Sequence, residues 1–348
     1  MFKAQRSNAH MNRFFPIFLL LLCLTACKSN TPATVAEDEP QLVGPTFDAD
    51  SAMAYCAAQC DFGPRTMNSE AHEKCGEWII KKFKELGCDV KTQKADLKAW
   101  DGTTLHSTNI IASINAEARE RLIICAHWDS RPWADNDPDS TNWHTPVVAA
   151  NDGASGVAVM LELARIINIS DTIGGDTLST LPGIDFVCFD AEDYGVPQWS
   201  NGSDDNSWAL GAQHFAQHLG GLKIGSSAEP VTWMGAILLD MVGGQNARFY
   251  QEGFSMHYAA DLVSAVWQAA RQAGYASYFP QEAGGAITDD HKPLNEAGLP
   301  AIDIIPYYPD CEQSSFGPTW HTINDDMKHI DKNTLKAVGQ TLIQYLYR

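Results

Sequence analysis

The sequence predicts a single α/β domain in which helices flank a central, mostly parallel mixed sheet. Short runs of Ile, Val and Leu without polar interruptions indicate strands that are buried on both faces. Amphipathic helical patterns lie between these runs, which is the alternation typical of α/β proteins. The 348 residues, 45% of them hydrophobic, would suit one large domain or two small ones. The absence of a second linker-like segment after Pro45 favours one.

Five apolar runs are predicted to be strands of this sheet. They lie at residues 109–114, 121–126, 184–190, 236–240 and 301–305. Three helical patterns place their apolar residues on one face. These faces consist of Val157, Met160, Leu161, Ala164 and Ile167; of Leu262, Val266, Ala269 and Ala273; and of Leu335, Val338, Leu342 and Leu346. Asp331 precedes the last pattern and is a suitable N-cap, because its carboxylate can accept a backbone N–H there.

The N-terminal segment has the features of an export signal. Arg13 precedes an apolar run at residues 14–24, which is too short to span a bilayer comfortably. The run ends in Leu-Thr-Ala-Cys at residues 24–27, which resembles the lipobox of bacterial lipoproteins. We therefore predict a lipoprotein signal peptide at residues 1–26 and lipidation of Cys27. An ordinary signal peptide that is cut at the same point is the alternative.

The segment after the signal is predicted to be a tether. Residues 27–46 are rich in Thr, Pro, Ala and Glu and cannot bury enough apolar surface to fold. The folded domain would then occupy residues 47–348. On this prediction, the protein is an exported lipoprotein of a Gram-negative bacterium, and only its lipid anchor holds it to the membrane. It would lie on the periplasmic side or in the outer membrane.

The charge of the chain argues against one class of partner. The sequence has 24 Lys and Arg against 43 Asp and Glu, which gives a net charge of −19. Attraction to phosphate needs clustered Lys and Arg, and no basic stripe is visible. We therefore expect no binding to nucleic acid.

Polar residues cluster where the predicted strands end. Residues 127–129 follow one strand, residues 190–193 end another, and Asp240 ends a third. His321 follows the last strand after a loop. In open α/β sheets, ligand sites form beyond the carboxyl ends of the strands. We therefore expect these separate segments to converge at one edge of the sheet.

Asp152, Asp193 and His321 have the chemistry of zinc ligands, with Glu192 beside them as a base. Catalytic zinc binds a few N or O ligands and keeps one position open for substrate. Adjacent carboxylates point differently, so one can bind metal while the other moves protons. Each residue also has a simpler explanation, since Asp152 could cap a helix and the others could lie in solvated loops. Their order and placement together favour a metal site.

Six short segments occur in a specific order. They are His127-Trp128-Asp129-Ser130, Asn151-Asp152-Gly153-Ala154, Phe189-Asp190-Ala191-Glu192-Asp193, Leu238-Leu239-Asp240, Asp289-Asp290-His291 and Trp320-His321-Thr322. This series resembles the zinc aminopeptidase superfamily and, within it, most closely the glutaminyl-peptide cyclotransferases, or glutaminyl cyclases. The resemblance implies a zinc-aminopeptidase-like fold. It also implies that the enzyme converts the N-terminal glutamine of peptides and proteins to pyroglutamate and releases ammonia.

The resemblance assigns the metal and the base residue by residue. Asp152, Asp193 and His321 match the ligands of a single zinc, and Glu192 matches the general base and acid. In one respect the chain departs from the pattern, because the animal cyclases have Glu at the position of Asp193. The aspartate still supplies oxygen ligands but is one methylene shorter. The metal should therefore sit differently, or the end of the strand should shift inward.

The resemblance also assigns the walls of the substrate pocket. Asp240 and Asp289 match a hydrogen-bonded carboxylate pair beside the substrate amine. Trp320 and Trp199 match pocket walls, and Trp128, in a motif loop, is expected to add to them. Three further tryptophans near these loops are explained at least as well as loop anchors: Trp133, Trp143 and Trp208.

A two-zinc aminopeptidase is the alternative function. His127 and Asp240 would complete the five-ligand set of that family, so ligand identity alone does not separate the two activities. We predict one zinc per chain, because a carboxylate partner at Asp289 would hold Asp240 away from a second ion. A third possibility, a lipid-tethered binding protein with a degenerate site, is disfavoured because the motifs are complete. We expect a monomer.

Overall fold

The structure is a computed structural model that describes residues 40, 42–174, 182–200, 202, 204–221 and 231–348. The described residues belong to one compact unit. The predicted signal peptide, Cys27 and most of the predicted tether lie outside the described residues. Within the described ranges, no helix combines the length and the apolar character that crossing a membrane requires.

Six strands form one mixed sheet in the order β1-β2-β4-β3-β5-β6. Their bounds are β1 Asp89–Lys98, β2 Thr104–Ile114, β3 Glu120–His127, β4 Gly183–Phe189, β5 Thr232–Leu239 and β6 Ala301–Ile304. Strands β4, β3, β5 and β6 pair in parallel, whereas β1 and β2 join them as an antiparallel pair at one side. The predicted mostly parallel mixed sheet is therefore confirmed, and all five predicted strands are present.

The apolar pattern did not predict β1. This strand lies at the edge of the sheet, and its residues alternate mostly between exposed and half-buried positions. Only Val90, Ala95 and Leu97 are apolar among its ten residues. Continuous pairing with β2 defines the strand, from Asp89 opposite Ser113 to Lys98 opposite Thr104. A strand held by hydrogen bonds at an edge does not need the apolar run that marks a central strand.

Eight helices cover the two faces of the sheet in the described part of the chain. Their bounds are α1 Ala49–Cys60, α2 Glu70–Glu85, α3 Ala154–Gly174, α4 Leu210–Gln217, α5 Gly253–Tyr258, α6 Ala260–Gln272, α7 His291–Glu296 and α8 Lys332–Leu346. The larger core joins α1, α2, α3, α6 and α8 to one face of the sheet. The smaller core joins α4 and α7 to the other.

Strand β3 shows why the central runs are apolar throughout. Leu122, Ile124 and Ala126 belong to the larger core, whereas Ile123 and Cys125 belong to the smaller one. Successive side chains of a strand point to opposite faces, so a strand with helices on both sides must be apolar at every position. The three-layer architecture follows directly from this pattern.

The predicted helix patterns are confirmed for α3, α6 and α8. In α8 the apolar face is buried, and the side chain of Asp331 caps the helix by accepting the backbone N–H of Asn333 at 2.8 Å. Helix α3 is buried on more than the predicted face, since every residue from Ala154 to Ala164 is buried. It packs between the sheet and the helices α1 and α8.

Candidate active site

The polar residues at the strand ends lie together at the carboxyl edge of the sheet. His127 is the last residue of β3, and Asp240 directly follows β5. Glu192 and Asp193 lie just beyond the end of β4, and Asp152 lies just before α3. Because β3, β4 and β5 are parallel, their carboxyl ends meet at one edge.

A cavity of about 380 Å³ opens at this edge and is called the active-site cavity below. Seven of the predicted site residues line it: Asp152, Glu192, Asp193, Asp240, Asp289, Trp320 and His321. Its apolar walls come from Trp208, Ile287, Ile305, Tyr307 and Phe316. The cavity can therefore hold a small substrate group against a cluster of carboxylates and one imidazole.

Asp152, Asp193 and His321 form a group that fits a zinc ion. One donor atom from each lies within 4.8 Å of the others. The Nε2 atom of His321 is 3.1 Å from Asp193 Oδ1 and 3.5 Å from Asp152 Oδ2. Both carboxylate oxygens of Asp193 are buried without a well-formed hydrogen bond. Buried anionic oxygens beside an imidazole nitrogen are the donor set that zinc binds, and the ion would neutralise them.

A second group shares Asp152 with the first. The Nε2 atom of His127 is 2.9 Å from Asp152 Oδ1 and 3.3 Å from Asp240 Oδ1. These three residues also bring donor atoms within 4.8 Å of one another. Asp152 therefore faces both groups, one through each oxygen. The arrangement of side chains is compatible with one ion or with two.

The backbone is strained where it presents the site residues. Ala191, immediately before Glu192, has φ 56°, and Met241, immediately after Asp240, has φ 53°. His321 itself has φ 52°. Side chains other than glycine rarely adopt this left-handed conformation, and it persists only where the surroundings fix it. These sharp bends let side chains that follow different elements point into one cavity.

Asp129 holds the turn that carries the acidic pair. Its two carboxylate oxygens accept the backbone N–H groups of Glu192 and Asp193, each at 3.1 Å. Asp129 is fully buried at the end of β3. Two backbone N–H groups that donate to one carboxylate fix the orientation of both neighbouring side chains at once. Glu192 and Asp193 are therefore positioned by a residue that lies two positions beyond the end of the adjacent strand β3.

Asp325 holds the loop of Asp152 in the same way. Its carboxylate accepts the backbone N–H groups of Asn151 at 2.7 Å and of Asp152 at 3.0 Å. Burial, together with the charge of Asp152, raises the pKa of Asp325 to about 8. The loop that follows His321 therefore anchors the loop of another predicted ligand.

An Asp135–Arg131 pair lies behind His321. Asp135 Oδ1 is 3.5 Å from His321 Nδ1, on the side of the ring that faces away from the metal group. Burial alone would raise the pKa of Asp135, but the hydrogen bonds and the charge of Arg131 outweigh it and lower the pKa. Arg131 approaches both oxygens, at 3.0 Å and 2.6 Å. A carboxylate at the outer nitrogen of a metal-binding histidine orients the ring and raises its basicity.

Burial raises the pKa of the three carboxyl groups that were predicted to be catalytic. The pKa of Glu192 lies well above its ordinary value, and the charges of Asp193 and Asp289 add to the effect of burial. The pKa of Asp240 rises to about 6 and that of Asp289 to about 7. A carboxyl group with a pKa near neutrality can both accept and return a proton at neutral pH.

Asp289 belongs to a buried polar group that also contains Asp303 and His291. Its carboxyl group lies beside Asp303, while Asp240 acts on it through its charge. His291 Nδ1 is 3.7 Å from Asp303 Oδ2, and its Nε2 is 3.0 Å from Glu252 Oε2. This row of buried polar groups leads from the cavity wall into the protein.

Two tryptophans enclose the ring of His321. Trp320 stacks at 3.8 Å between ring centroids, and Trp208 lies nearly parallel at 5.9 Å. Both line the active-site cavity. The sequence explained Trp208 at least as well as a loop anchor, and the structure places it in the cavity wall. Arg131 lies 4.6 Å from the Trp208 ring and supports it from outside.

The prediction that Trp128 lines the pocket is wrong. Its side chain is 1% exposed and belongs to the larger core. It stacks on His72 with ring centroids 4.1 Å apart, and its Nε1 donates to the carbonyl of Thr108 at 3.3 Å. The reason is the alternation of side chains along an extended chain. His127 points to the site, so the next residue points away.

Trp199 also lies outside the lining of the cavity, which corrects the second tryptophan assignment. It is 36% exposed. It packs against Trp133 at 5.8 Å, Trp143 at 6.3 Å and His144 at 4.6 Å between ring centroids. The loops around residue 199 therefore form a surface aromatic cluster of their own, and Trp208 takes the place at the metal group.

The sequence did not reveal the residues that position other site groups. Neither Asp325 nor Asp135 lines the active-site cavity. Asp325 accepts backbone amides, and Asp135 lies at the far side of the His321 imidazole. Their only signal in the sequence is an acidic residue a few positions from a metal motif. Trp208 carried no motif, because its position depends on how its loop folds back onto His321.

Known proteins with a similar sequence or fold include members of a peptidase family and a glutaminyl cyclase. The model of the family described as Peptidase family M28 matches residues 109–346. The structure superposes with a TM-score of 0.80 on a Bacteroides thetaiotaomicron glutaminyl cyclase bound to N-acetylhistamine, at 46% identity, covering 88% of this chain and 99% of that one.

Two sequence relatives represent the two activities considered above. Aminopeptidase YwaD of Bacillus subtilis is 28% identical over 82% of this chain and 54% of its own length. The bovine glutaminyl-peptide cyclotransferase is 25% identical over 69% of this chain and 66% of its own length. The chain thus spans between half and two thirds of these curated relatives. The family match covers more than half of the chain, and the chain therefore belongs to peptidase family M28.

Proposed function

We propose that the protein is a zinc-dependent glutaminyl-peptide cyclotransferase, an acyltransferase that converts the N-terminal glutamine of peptides and proteins to pyroglutamate and releases ammonia. The observation that carries the proposal is the placement of Glu192 and Asp289 in the wall of the same cavity as the metal group. The 46% identity to a Bacteroides thetaiotaomicron glutaminyl cyclase, over 99% of that chain, supports it.

In this reaction the α-amine of the substrate attacks its own side-chain amide. A bond forms between the α-nitrogen and the γ-carbonyl carbon, and the bond from that carbon to the amide nitrogen breaks. Glu192 takes a proton from the attacking amine and delivers one to the departing nitrogen, which leaves as ammonia. Asp240 and Asp289 hold the amine in line. Since the attack is intramolecular, much of the catalysis lies in orienting a flexible side chain.

The proposed zinc would be held by Asp152, Asp193 and His321. When bound, zinc supplies a Lewis acid that polarises the amide carbonyl. We propose one ion per chain, because Asp240 is then free to bind the substrate amine. Metal analysis after dialysis tests this number. Two tightly bound zinc ions per chain would contradict it.

The aromatic walls suit cyclisation better than hydrolysis. Trp208, Trp320 and Phe316 line the cavity, and their rings would exclude bulk water from a bound substrate. Glutaminyl cyclisation requires this exclusion, because water would compete with the amine for the carbonyl carbon. A hydrolase needs an activated water instead.

The decisive experiment is incubation of the zinc-loaded protein with a peptide that begins with glutamine. Ammonia and free glutamine are measured together, and the peptide mass is followed. Ammonia, a mass loss equal to one ammonia and no free glutamine are the expected result. Release of free amino acids without loss of ammonia would reject the proposal.

A two-zinc aminopeptidase is the second candidate. It is favoured by the group of His127, Asp152 and Asp240, which could hold another ion, and by the 28% identity to an aminopeptidase of Bacillus subtilis. A panel of peptides with Leu, Ala or Gln at the N-terminus separates the two functions. An aminopeptidase releases the first residue from several of them, whereas a cyclase acts on glutamine alone.

We further propose that the protein is a monomeric exported lipoprotein of a Gram-negative bacterium, anchored only through Cys27. The Leu-Thr-Ala-Cys sequence after an apolar run supports this. The acidic composition supports the expectation that it does not bind nucleic acid. Radiolabelled palmitate should be incorporated by the wild type and not by a Cys27→Ser variant. Equal labelling of both would contradict the anchor, and size-exclusion chromatography with light scattering tests the monomer.

A further inference from the structure

A second cleft, of about 470 Å³, opens beside the active-site cavity and is called the tyrosine cleft below. Tyr307 and Phe316 line both, so the two spaces adjoin at these side chains. Phe316 in turn packs against Trp320, with ring centroids 4.8 Å apart. A molecule that fills the active-site cavity and extends beyond Tyr307 and Phe316 therefore enters the tyrosine cleft.

Three tyrosines and Phe316 contribute aromatic rings to the walls of the tyrosine cleft. Tyr250 and Tyr307 meet edge to face, with centroids 5.4 Å apart, and Tyr308 lies beside them. The Tyr308 hydroxyl donates to the carbonyl of Gln245 at 3.0 Å, which fixes that ring. Rigid tyrosine rings offer apolar faces at a low cost in side-chain entropy, and they are common where proteins bind peptides.

Arg248 places a positive charge in this cleft. Its guanidinium lies 5.6 Å from the centre of the Tyr250 ring, while its backbone carbonyl accepts the N–H of Tyr307 at 2.9 Å. Among the residues that the structure describes, its guanidinium makes no ion pair with a carboxylate within 4.0 Å. Asp310 lines the same cleft but makes no ion pair with Arg248. His329, which also lines the cleft, is paired with Asp326 at 2.9 Å. In a chain with a net charge of −19, an arginine that has no carboxylate partner is available for a ligand.

A different cleft, of about 280 Å³, also adjoins the active-site cavity and could compete for the same role. It shares Trp208, Asp205 and Thr288 with the cavity. Its cation, Lys292, is already paired with Glu296 at 2.5 Å. The tyrosine cleft is larger and more aromatic, and it contains the Arg248 guanidinium, which has no carboxylate partner among the described residues. It is therefore the better site for the residues of a substrate that extend beyond the active-site cavity.

We propose that the tyrosine cleft binds the residues that follow the N-terminal glutamine and that Arg248 pairs with a substrate carboxylate there. The carboxylate is either an Asp or Glu side chain within the next three residues or the C-terminus of a short peptide. This inference rests on the proposed cyclase function and specifies its substrate class. Arg248 does not reach the reacting atoms, so it acts on the affinity for the substrate.

The test compares kcat/KM for a peptide series that begins with glutamine. One arm places Glu or Gln at position 2, 3 or 4 in a C-terminally amidated peptide, and the other compares a free with an amidated C-terminus in a tripeptide. Glutaminamide, which has no following residues, is the reference substrate. The wild type should prefer the carboxylate-bearing peptide of at least one pair by about fivefold, as expected for a partly exposed ion pair.

Four variants locate the preference. Arg248→Gln should abolish it by raising KM, with unchanged kcat and unchanged activity on glutaminamide. Lys292→Gln probes the competing cleft, and Arg271→Gln, which removes a distant surface charge, controls for long-range electrostatics. Both should keep the preference. Asp310→Asn should keep or slightly strengthen it, because it removes a negative charge from the tyrosine cleft.

The outcomes separate this inference from the proposed function. If the wild type does not cyclise glutaminamide or any peptide, the proposed function fails. If it cyclises them but shows no carboxylate preference, or if Arg248→Gln retains that preference, the assignment of the tyrosine cleft is overturned. Loss of the preference in Lys292→Gln instead would place the substrate chain in the competing cleft.

Discussion

Glu192 combines two properties that a general base for amine attack needs. It lines the active-site cavity, and burial raises the pKa of its carboxyl group well above the ordinary value. The sequence identified this residue because it adjoins a predicted ligand at a strand end. The sequence did not identify Asp325, since that carboxylate acts through backbone amides, and no side-chain pattern marks such a role.

Replacing Glu192 by Gln should remove proton transfer and leave the metal group intact. Glutamine keeps the shape of the side chain but cannot accept the amine proton, so kcat for cyclisation should fall by roughly 10²- to 10⁴-fold. Zinc content should stay at the wild-type value, because Glu192 is not in the ligand group. Glu73→Gln, at an exposed position of α2, is the matched control. Wild-type kcat in Glu192→Gln would show that another group is the base.

Asp289 should make the metal-free protein less stable as the pH rises. Its pKa is raised from 3.8 to about 7, so the folded state keeps a proton that the unfolded state has lost. The unfolded state therefore binds fewer protons in this window, and stability falls with rising pH by at most about 1.4 kcal/mol per unit. Asp289→Asn cannot titrate and should lose less stability between pH 5 and 7. Urea unfolding of both metal-free proteins measures this, and equal slopes would contradict it.

At the scale of secondary structure, neighbouring elements hold one another's site residues. Asp129 at the end of β3 fixes the turn after β4, and Asp325 fixes the loop before α3. The sequence predicted that the strand ends converge, because parallel strands share their carboxyl edge. It did not predict these cross-connections, which arise only when the loops pack together.

Replacing Asp129 by Asn should weaken zinc binding. One oxygen of the new amide can still accept a backbone N–H, but its NH₂ group would face the other one, so the turn of Glu192 and Asp193 should move. Loss of such outer support typically costs about 10- to 100-fold in metal affinity. Competition with a chelator measures the affinity, with Asp139→Asn, an exposed helix cap, as the control. An unchanged affinity for zinc would mean that the turn of Glu192 and Asp193 keeps its conformation without Asp129.

Gly156 allows α3 to approach the sheet closely. A Cβ atom at this position would overlap the carbonyl oxygen of Leu239 and lie 2.7 Å from the Ala126 side chain. Gly156→Ala should therefore push α3 away from β3 and β5 and cost roughly 1–3 kcal/mol of stability. Gly220→Ala, where nothing lies within 4 Å, is the control. Equal unfolding free energies for the two variants would refute the close packing.

For the whole molecule, the concentration of negative charge at one edge links metal binding to stability. Asp193 and Asp240 are both buried, and each brings a carboxylate oxygen within 4.8 Å of an oxygen of buried Asp152, in a chain with a net charge of −19. Removal of zinc should leave the fold intact, because the cores lie below the site. It should lower Tm, since the buried carboxylates lose their counter-charge.

Chelation of the metal should therefore lower Tm by about 5–10 °C, with unchanged far-UV circular dichroism at 25 °C or below. Reloading with zinc should restore Tm, and magnesium, which prefers oxygen ligands alone, should not. Differential scanning calorimetry of the three states measures this. A Tm that does not respond to chelation would mean that the group holds no metal.

The sequence by itself predicted five of the six strands, the apolar faces of α3, α6 and α8, and the residues that come together in the metal group. Local sequence patterns predict these features, because apolar runs indicate buried strands and the polar side chains follow directly at the strand ends. Only the tertiary structure decided which tryptophans line the active-site cavity, placing Trp208 beside His321 and Trp128 in the core. It also revealed the edge strand β1 and the carboxylates that hold the loops. The physical reason is that a strand end is fixed by its covalent neighbours, whereas the position of a loop depends on everything that packs against it.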